Sequence, residues 1–248
     1  CGLHFHSMLF RTFFALIMLL SLRLGGAFVP RSLPLVTLSR RGLSSGSGAR
    51  PRPELRSVEE EVDPGAVEGT DKRIVKYPHP ALRAKNALCT DEEIADGTIA
   101  SLAKEMFLIM YAANGVGLAA PQVGVNKRLM VYNPSGDRSK WMEETVWVNP
   151  EIVGNAEAEA TEEEGCLSFP GMQGRVNRPK WIKIEGKNLK GKTFKKKFTG
   201  FEARVFQHEY DHLDGVVYID RLIDEAERES VQGRLDELVT EYGDGGAL

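Results

Sequence analysis

Residues 207–213, with the sequence QHEYDHL, constrain this chain more than any other stretch because they contain the pattern His-Glu-x-x-His. Residues four apart on a helix project from the same face, so His208 and His212 would point at one spot, as two ligands of one metal must. Glu209, one position further on, would reach a water at that metal without ligating it. No Gly or Pro interrupts residues 201–213, so the sequence predicts a helix here. On this motif alone, the alternative is a surface helix with two unrelated histidines.

Charge divides the 248 residues into two unlike parts. Residues 1–56 carry eight Arg, no Lys and one acidic residue, whereas the rest of the chain carries 24 Lys and Arg against 34 acidic residues. The overall net charge of -3 hides this asymmetry. The two parts are therefore treated as separate regions. Residues 57–70, with acids, Pro and Gly, are interpreted as a linker between them.

The first 56 residues have the features of a cleaved targeting presequence. Arg11 precedes an apolar run of eleven residues, which is shorter than the roughly 20 residues needed to span a bilayer. Small residues at 25–27 suit a signal peptidase, and the Arg-, Ser- and Leu-rich stretch up to Arg50 has transit-peptide composition. A signal peptide joined to a transit peptide resembles a bipartite plastid presequence. We therefore expect a plastid location without stable membrane insertion after processing, with the mitochondrion as the alternative.

The three cysteines form no paired framework, so reduced thiols are expected. Cys1 belongs to the expected presequence, and Cys89 is interpreted as a small buried residue. Cys166 stands between Gly165 and Leu167 after three acidic residues. Such acids alone would indicate a solvated surface, but the flanking residues favour a positioned loop.

The sequence after residue 90 predicts a series of helices and strands. One helix is expected over residues 90–113, with Thr90 and Glu93 forming a capping box. The glycines and small residues of 114–124 would let the backbone approach another group closely, although an ordinary turn is the simpler interpretation. Strands are predicted at 129–132, 145–149, 156–161, 181–185, 193–198 and 217–219, and a polar helix at 224–242.

Two charged stretches lie near the end of the chain. Lysines fill positions 195–197, at the end of the predicted hairpin of the 181–185 and 193–198 strands. Edge strands commonly carry Lys to discourage pairing, which is the preferred interpretation, and an RNA contact is the alternative. Residues 221–248 contain three Arg and eight acidic residues. A helix of that charge is a poor match for RNA phosphates.

Three separated stretches together resemble the peptide deformylase family: GVGLAAPQ at 115–122, EGCLS at 164–168 and QHEYDHL at 207–213. They occur in the family's order within residues 71–222, the expected catalytic domain, and the flanking FPG and ARVFQ look most like the organellar, plant-type branch. The resemblance implies an α+β fold, with antiparallel sheets packed around a central helix carrying the HExxH metal motif and a C-terminal helix within 223–248. It also implies metal-dependent hydrolysis of the N-formyl group from the initiator N-formylmethionine of nascent polypeptides, releasing formate and a free amino terminus.

The resemblance also implies roles for individual residues. The implied metal ligands are Cys166, His208 and His212. Three protein ligands leave one position open for water, as in catalytic rather than structural sites. Glu209 would take a proton from that water and pass it to the leaving amine. The Gln122 side-chain amide and the Leu167 backbone N–H would stabilise the oxyanion. One divalent ion is expected, Fe(II) or Zn(II), with Ni(II) and Co(II) also suited to a thiolate and two imidazoles.

Two further groups follow from the same resemblance. The implied substrate-binding residues are Val116, Gly117, Glu164, Phe201 and Val205. Gly117 would meet the substrate backbone, and the apolar members would form a pocket for the methionine side chain. The residues expected to orient the ligands from behind are Gln207, Asp211 and Arg178. Glu164 would pair with Arg178 and fix the loop that carries the cysteine, and a surface position for Arg178 is the alternative.

Other classes of protein remain possible on the motifs. A zinc peptidase shares His-Glu-x-x-His but needs a third ligand downstream, and none of the five histidines follows His212. A non-catalytic binding protein would not need the complete set of chemical groups that is present. The expected partners are nascent N-formylmethionyl polypeptides, with the organellar ribosome as a further candidate and no DNA.

Overall fold

A computed structural model describes residues 66–243 of the chain. The expected presequence and most of the expected linker lie outside the described residues. The helices are α1 Asp91–Ala95, α2 Thr98–Ala112, α3 Gly200–Leu213 and α4 Glu225–Tyr242. The strands are β1 Gly117–Ala119, β2 Leu129–Tyr132, β3 Thr145–Asn155, β4 Glu159–Gly165, β5 Gln173–Pro179, β6 Trp181–Lys187 and β7 Thr193–Thr199.

The described strands form two antiparallel sheets. Five of them make a sheet of order β1-β2-β3-β6-β7, and β4 pairs with β5 in a separate two-stranded sheet. The apolar run of β2 is buried throughout, as expected for a strand covered on both faces. In β6, Ile182 and Ile184 are buried while Lys183 between them is exposed. One face of β6 therefore meets the core and the other meets solvent.

Helix α3 lies at the centre of the fold. Ten of its 14 residues are buried, and Phe206 packs on Trp147 and Phe198 of the large sheet, with ring centroids 5.2 and 4.9 Å away. The helix also packs against β5 and β1, so it joins the two sheets. Its buried polar side chains, including those of His208 and Glu209, need partners or a function. The expected α+β fold around this helix is confirmed.

The helix expected over residues 90–113 is in fact two helices. Thr90 and Glu93 form the predicted capping box at the start of α1. Gly97 then adopts a left-handed φ of 88°, which ends the first helix, and the Thr98 N–H donates to the Asp96 carboxylate at 2.8 Å. The apolar side chains on both sides of this break keep helical spacing, so the sequence pattern did not reveal it.

Strand positions were predicted best where the side chains are apolar. β2 has its predicted bounds, and β3 extends beyond its predicted end. The strand expected at 156–161 is wrong in position, because β4 spans Glu159–Gly165 and carries four acidic residues without apolar alternation. Pairing with β5, which was not predicted, places β4 where local propensity does not. Residues 217–219 do not form the predicted strand, because a 3-10 turn occupies Tyr218–Arg221.

The predicted C-terminal helix is present as α4. Its buried Val231 and Leu238 join an apolar cluster with Val176 of β5. Glu227 on its first turn accepts hydrogen bonds at 2.8 Å from both the backbone and the guanidinium of Arg175. Helix α4 is thus fixed to the small sheet. Within residues 66–243, no helix is both long and apolar enough to cross a membrane.

Candidate metal centre

Helix α3 places two histidines on its inner face. His208 and His212 lie one helical turn apart, both rings are buried, and their centroids are 5.2 Å apart. The helix begins directly after the last residue of β7 and continues to Leu213 without Gly or Pro after its first residue. This spacing brings both imidazoles to one point, as the sequence pattern predicts.

The small sheet brings a cysteine to the same point. Cys166 directly follows β4, and the turn after it is closed by the Phe169 N–H donating to the Cys166 carbonyl at 2.9 Å. Its buried Sγ lies 3.2 Å from Nε2 of His212. One ligand atom from each of Cys166, His208 and His212 lies within 4.8 Å of the others. Two chain segments that are 42 residues apart therefore converge on one small volume.

These residues fit a divalent transition metal. A thiolate and two imidazoles form a donor set typical of catalytic sites that keep a further coordination position open. A carboxylate oxygen of Glu209 is buried beside them without a hydrogen-bond partner among the described residues. Such an orphaned acceptor is expensive unless a water or ion satisfies it. The position and chemistry of the cluster therefore agree with a metal site.

A buried carboxylate fixes one of the histidines. Glu164 Oε2 lies 3.1 Å from Nδ1 of His208. Because a carboxylate only accepts, Nδ1 carries the proton and Nε2 is free for a metal. Arg178 donates to both oxygens of Glu164, at 2.6 and 2.9 Å. Burial opposes ionisation, but the hydrogen bonds from Arg178 and His208 hold the pKa of Glu164 well below its usual range. The Glu164–Arg178 pair expected from the resemblance is present, and Arg178 is buried rather than at the surface.

Two arginines that the sequence analysis did not single out extend this network, Arg204 in the interior and Arg221 with an exposed side chain. Arg204 donates to Glu164 at 2.6 Å and to the carbonyls of Val176 and Ala160. It therefore ties α3 to both strands of the small sheet. Arg221 forms a bidentate pair with Asp211, at 2.6 Å for each contact. Arg204 precedes His208 by one helical turn, and that spacing was a usable signal for it.

Asp211 and Gln207, which were expected to orient the metal ligands, make different contacts from each other. Asp211 accepts from Arg178 at 2.8 Å, so it acts on the network around Glu164 and not on a ligand directly. The side chain of Gln207 donates to the carbonyls of Ala203 and Pro179. Gln207 thus joins α3 to β5, and its hydrogen bonds do not reach the candidate ligands.

The loop after β1 brings an amide to the site. Gln122 is 1% exposed, and its Oε1 accepts from the Ala119 N–H at 2.7 Å. This contact turns Nε2 toward the cluster, where it lies 3.5 Å from Sγ of Cys166. Leu167 directly follows that cysteine, so its backbone N–H belongs to the same loop. The arrangement sets two neutral N–H donors near the candidate metal position.

A strap formed by residues 74–77 holds these two loops together. The Val75 N–H donates to the Gln122 carbonyl and the Tyr77 N–H donates to the Ser168 carbonyl, each at 2.9 Å. Lys76 donates through Nζ to the Leu167 carbonyl at 2.8 Å. Burial lowers the pKa of Lys76, and the nearby Cys166 opposes that change. The strap connects both loops that carry the candidate oxyanion donors.

Glu209 is buried against the start of β1. A Cβ at Gly117 would lie 3.0 Å from Cγ of Glu209 and 3.1 Å from a methyl group of Val205. Such contacts are too close for most side chains, so this position requires glycine. Burial raises the pKa of Glu209 to about 7, although the neighbouring His208 acts to lower it.

The expected apolar pocket residues lie together. Val116 and Phe201 are partly buried and pack against one apolar cluster, which also contains Val205 and Ala119. Since Phe201 and Val205 are four residues apart on α3, they share a face of that helix. An apolar wall therefore lies between the start of β1 and the first turns of α3.

Comparison with known proteins agrees with the geometry. A family model described as polypeptide deformylase matches residues 71–228. The chloroplastic peptide deformylase 1B of Oryza sativa subsp. japonica is 39% identical over an alignment of 227 residues that covers 86% of this chain and 80% of the relative. The chloroplastic/mitochondrial peptide deformylase 1B of Arabidopsis thaliana is 42% identical over 173 residues, which are 70% of this chain and 62% of the relative.

Solved structures show the same relationship. A peptide deformylase from Plasmodium falciparum has a TM-score of 0.65 at 37% identity, and the match covers 69% of this chain and 97% of that chain. An Arabidopsis thaliana peptide deformylase 1B in complex with an inhibitor has a TM-score of 0.62 at 41% identity, covering 68% and 90% respectively.

An HExxH helix joined by a cysteine from a separate hairpin defines a class of metal-dependent hydrolases. Within that class, the chain belongs to the polypeptide deformylase family. It is a hydrolase that removes the N-formyl group from nascent polypeptides. The family and its plant-type organellar branch were both predicted from the three motifs, and both are confirmed.

Proposed function

We propose that Cys166, His208 and His212 hold one divalent metal ion in this enzyme. The observation that carries the proposal is the convergence of their ligand atoms within 4.8 Å of one another, beside the buried carboxylate of Glu209. When bound, a divalent metal there would supply Lewis-acid activation of water near neutral pH. The donor set suits Fe(II) or Zn(II), and Ni(II) or Co(II) are compatible with it.

Glu209 moves the proton in this proposal. It takes a proton as water adds to the formyl carbon and returns that proton to the amine as the C–N bond breaks. The products are formate and a free amino terminus. The unpartnered oxygen of Glu209 supports this role because it is buried and available to a water or to the leaving nitrogen.

Gln122 and Leu167 stabilise the developing negative charge on the formyl oxygen. The side-chain amide of Gln122 is held by the Ala119 N–H, and the loop that carries the Leu167 N–H is held by Lys76 at the Leu167 carbonyl, before substrate arrives. Loss of one such donor typically costs about 3–4 kcal/mol of transition-state stabilisation in comparable sites. Pre-organisation of this kind avoids reorienting dipoles during the reaction.

The substrate backbone lies along β1 and the methionine side chain enters the apolar wall. Among the described strands, β1 pairs with β2 alone, so its second edge is available at Gly117. Val116, Phe201 and Val205 supply the apolar surface that a methionine side chain requires. Glu164, expected among the substrate-binding residues, makes buried contacts with Arg178, Arg204 and His208, so in this proposal it orients His208.

We further propose that the enzyme works in plastids on nascent N-formylmethionyl chains. The relatives named above are described as chloroplastic, and one as chloroplastic/mitochondrial, so the mitochondrion is the alternative location. The presequence composition of residues 1–56 supports import into an organelle. Expression of a fluorescent fusion of the full chain would test the location directly.

The chemical proposal is tested by formate release from formyl-Met-Ala-Ser. The full chain is purified without oxygen, and bound metal is measured in the same samples. We expect release with about one metal per chain. Glu209→Ala should keep the metal and lose nearly all turnover, while Cys166→Ala should lose the metal. Full turnover in the first variant, or full metal content in the second, would contradict the assigned roles.

A further inference from the structure

The β6–β7 hairpin carries a strong excess of positive charge. Residues 180–197 contain eight lysines and one acidic residue. The whole chain has a net charge of -3, and residues 221–248 hold eight acidic residues against three Arg. The hairpin is therefore a local basic surface on an acidic protein. The lysines are Lys180, Lys183, Lys187, Lys190, Lys192, Lys195, Lys196 and Lys197.

Most of these charges are exposed and not neutralised. Seven of the eight side chains are exposed, and Lys187 is partly buried. Lys195 pairs with Glu185 at 2.8 Å and Lys187 pairs with Asp91 at 2.6 Å. The other six form no ion pair with any residue in the range 66–243. Lys197 instead places its ammonium group 4.2 Å from the ring centre of Trp181.

The register of the hairpin sets one pair of like charges against each other. Lys183 of β6 lies directly opposite Lys197 of β7, and Glu185 lies opposite Lys195. Directly opposed residues of antiparallel strands share one face of the sheet, and like charges in that position are destabilising. The outer face of the hairpin thus concentrates cations at some cost to the fold.

Protection of an exposed edge explains only part of this pattern. Strand β7 is the edge of the five-stranded sheet, so Lys195–Lys197 could serve to discourage pairing with other chains. Strand β6 has β3 on one side and β7 on the other, so Lys183 protects no edge. Lys190 and Lys192 lie in the connecting turn, outside both strands. A ligand on the outer face accounts for Lys183, Lys195 and Lys197 together, whereas Lys196 lies on the opposite face, over the ring of Phe198.

We propose that the outer face of the β6–β7 hairpin binds the phosphate backbone of RNA. Lysine ammonium groups on flexible stems bind phosphates as point charges. Lys195 and Lys197 are two residues apart on a strand, about 7 Å, which is comparable with the separation of neighbouring phosphates on one strand. The substrate of this enzyme is a nascent polypeptide, which is made on an RNA-rich particle. Contact through phosphates alone predicts binding without sequence preference.

The RNA surface is separate from the reacting groups. β7 ends at Thr199, where α3 begins, and none of the eight lysines contributes to the candidate metal centre. Removing their charge should therefore leave turnover of a short formylated peptide unchanged. This separation allows RNA binding to be measured independently of the assignments in the metal centre.

Fluorescence anisotropy with a labelled RNA duplex tests the proposal. The full chain is compared with Lys183→Gln/Lys195→Gln/Lys197→Gln and with a matched control, Lys85→Gln/Lys104→Gln/Lys140→Gln. The control removes the same charge from three exposed lysines elsewhere. We expect the hairpin variant to bind roughly tenfold more weakly near 0.1 M salt and its log–log salt slope to fall by about two to three. The control should bind within about twofold of the parent.

Several results would overturn the proposal. Equal loss of affinity in both triple variants would mean that net charge alone, or the arginines of residues 1–56 that all three proteins share, accounts for binding. No binding by the parent at low salt would reject the surface outright. Loss of binding to vesicles of anionic phospholipid, with RNA binding unchanged, would assign the hairpin to a membrane. Turnover of formyl-Met-Ala-Ser, measured in parallel, verifies that each variant is folded.

Discussion

The enzyme holds charge in two contrasting ways. Around Glu164, inside the protein, the arginines and carboxylates pair completely, with Arg178 shared between Glu164 and Asp211. On the β6–β7 hairpin, cations stand in water largely without partners, and two of them oppose each other across the strands. Burial makes an unpaired charge very costly, whereas solvent and salt make it cheap. The interior charges therefore fix positions within the chain, and the surface charges remain available to something outside it.

Breaking the interior network should produce the largest effect. Glu164→Ala removes the buried carboxylate shared by Arg178 and Arg204, which keep only their second partners, Asp211 and the half-exposed Glu162. We expect a loss of about 3–5 kcal/mol in the free energy of unfolding. The matched control is Glu162→Ala, because Glu162 pairs with the same Arg204 through a side chain that is 43% exposed. That control should cost less than about 1 kcal/mol. Denaturant unfolding of both variants measures the difference, and equal costs would remove the distinction between the two kinds of charge.

The buried thiol of Cys89, which stays neutral, can be compared with the buried charges around Glu164. Burial raises the pKa of Cys89 to about 11, with a further contribution from Glu93. At pH 8, the thiolate should be about a hundredfold scarcer than for an ordinary cysteine. Iodoacetamide should therefore label Cys89 slowly in the native protein, and the rate should rise about tenfold per pH unit.

The same group contributes to the dependence of stability on pH. The pKa of Cys89 is higher in the folded protein than in the unfolded protein. Its contribution to stability is therefore complete at a pH below the unfolded pKa. That contribution is lost as the pH rises through the folded pKa, between about pH 9 and pH 11. Peptide mapping after timed alkylation measures the labelling rate, with guanidinium-denatured protein as the control. Equal native and denatured rates would show that Cys89 is not protected by burial.

Lys76 is intermediate between the buried, paired charges around Glu164 and the exposed lysines of the hairpin, because it is a partly buried cation with a neutral partner. Lys76→Met removes the hydrogen bond to the Leu167 carbonyl, so we expect kcat to fall about tenfold, with KM within about twofold. Lys72→Met, which breaks a partly exposed pair with Glu105, is the control and should leave both constants unchanged. A change in KM alone would show that the strap affects substrate binding and not the oxyanion donors.

The smallest expected effect is a gain in stability, on replacing Lys183. Lys183→Gln removes one member of the like-charged pair with Lys197, so we expect the protein to gain roughly 0.2–1 kcal/mol of stability at low salt. The gain should shrink in 1 M salt because screening weakens the repulsion. Thermal unfolding at both salt concentrations measures it. A loss of stability at low salt would mean that Lys183 is structural and would weaken the contrast with the interior.

The elements that depend on neighbouring residues were predicted correctly from the sequence. The central helix, the capping box at Thr90 and the apolar strand β2 all follow from neighbouring residues, and they were predicted with nearly the observed bounds. The position of β4 depends on a partner strand whose own pattern is polar, and it was misplaced. The break at Gly97 required a backbone angle that apolar spacing does not encode.

The residues of the candidate site also divide into those that local spacing predicts and those that depend on the fold. The histidine pair follows from helical spacing, but the approach of Cys166 depends on the fold and was obtained through resemblance to a family. Arg204 has a helical spacing to His208 that was available but not used. Lys76 hydrogen-bonds to a backbone carbonyl 91 residues away, and side-chain identity gives no indication of such a contact.

The strap at residues 74–77 also limits how far the amino-terminal region can be shortened. Just before it, Lys72 forms an ion pair with Glu105 of α2, and Thr70 donates a hydrogen bond to the same carboxylate. Proteolytic maturation upstream of Thr70 would leave both anchors in place. A cut after Arg73 would release the strap from α2, and a cut within the strap would separate the loops of Gln122 and Leu167. The smallest fully active form of the enzyme therefore keeps the whole strap and starts no later than Ile74, well before the first helix.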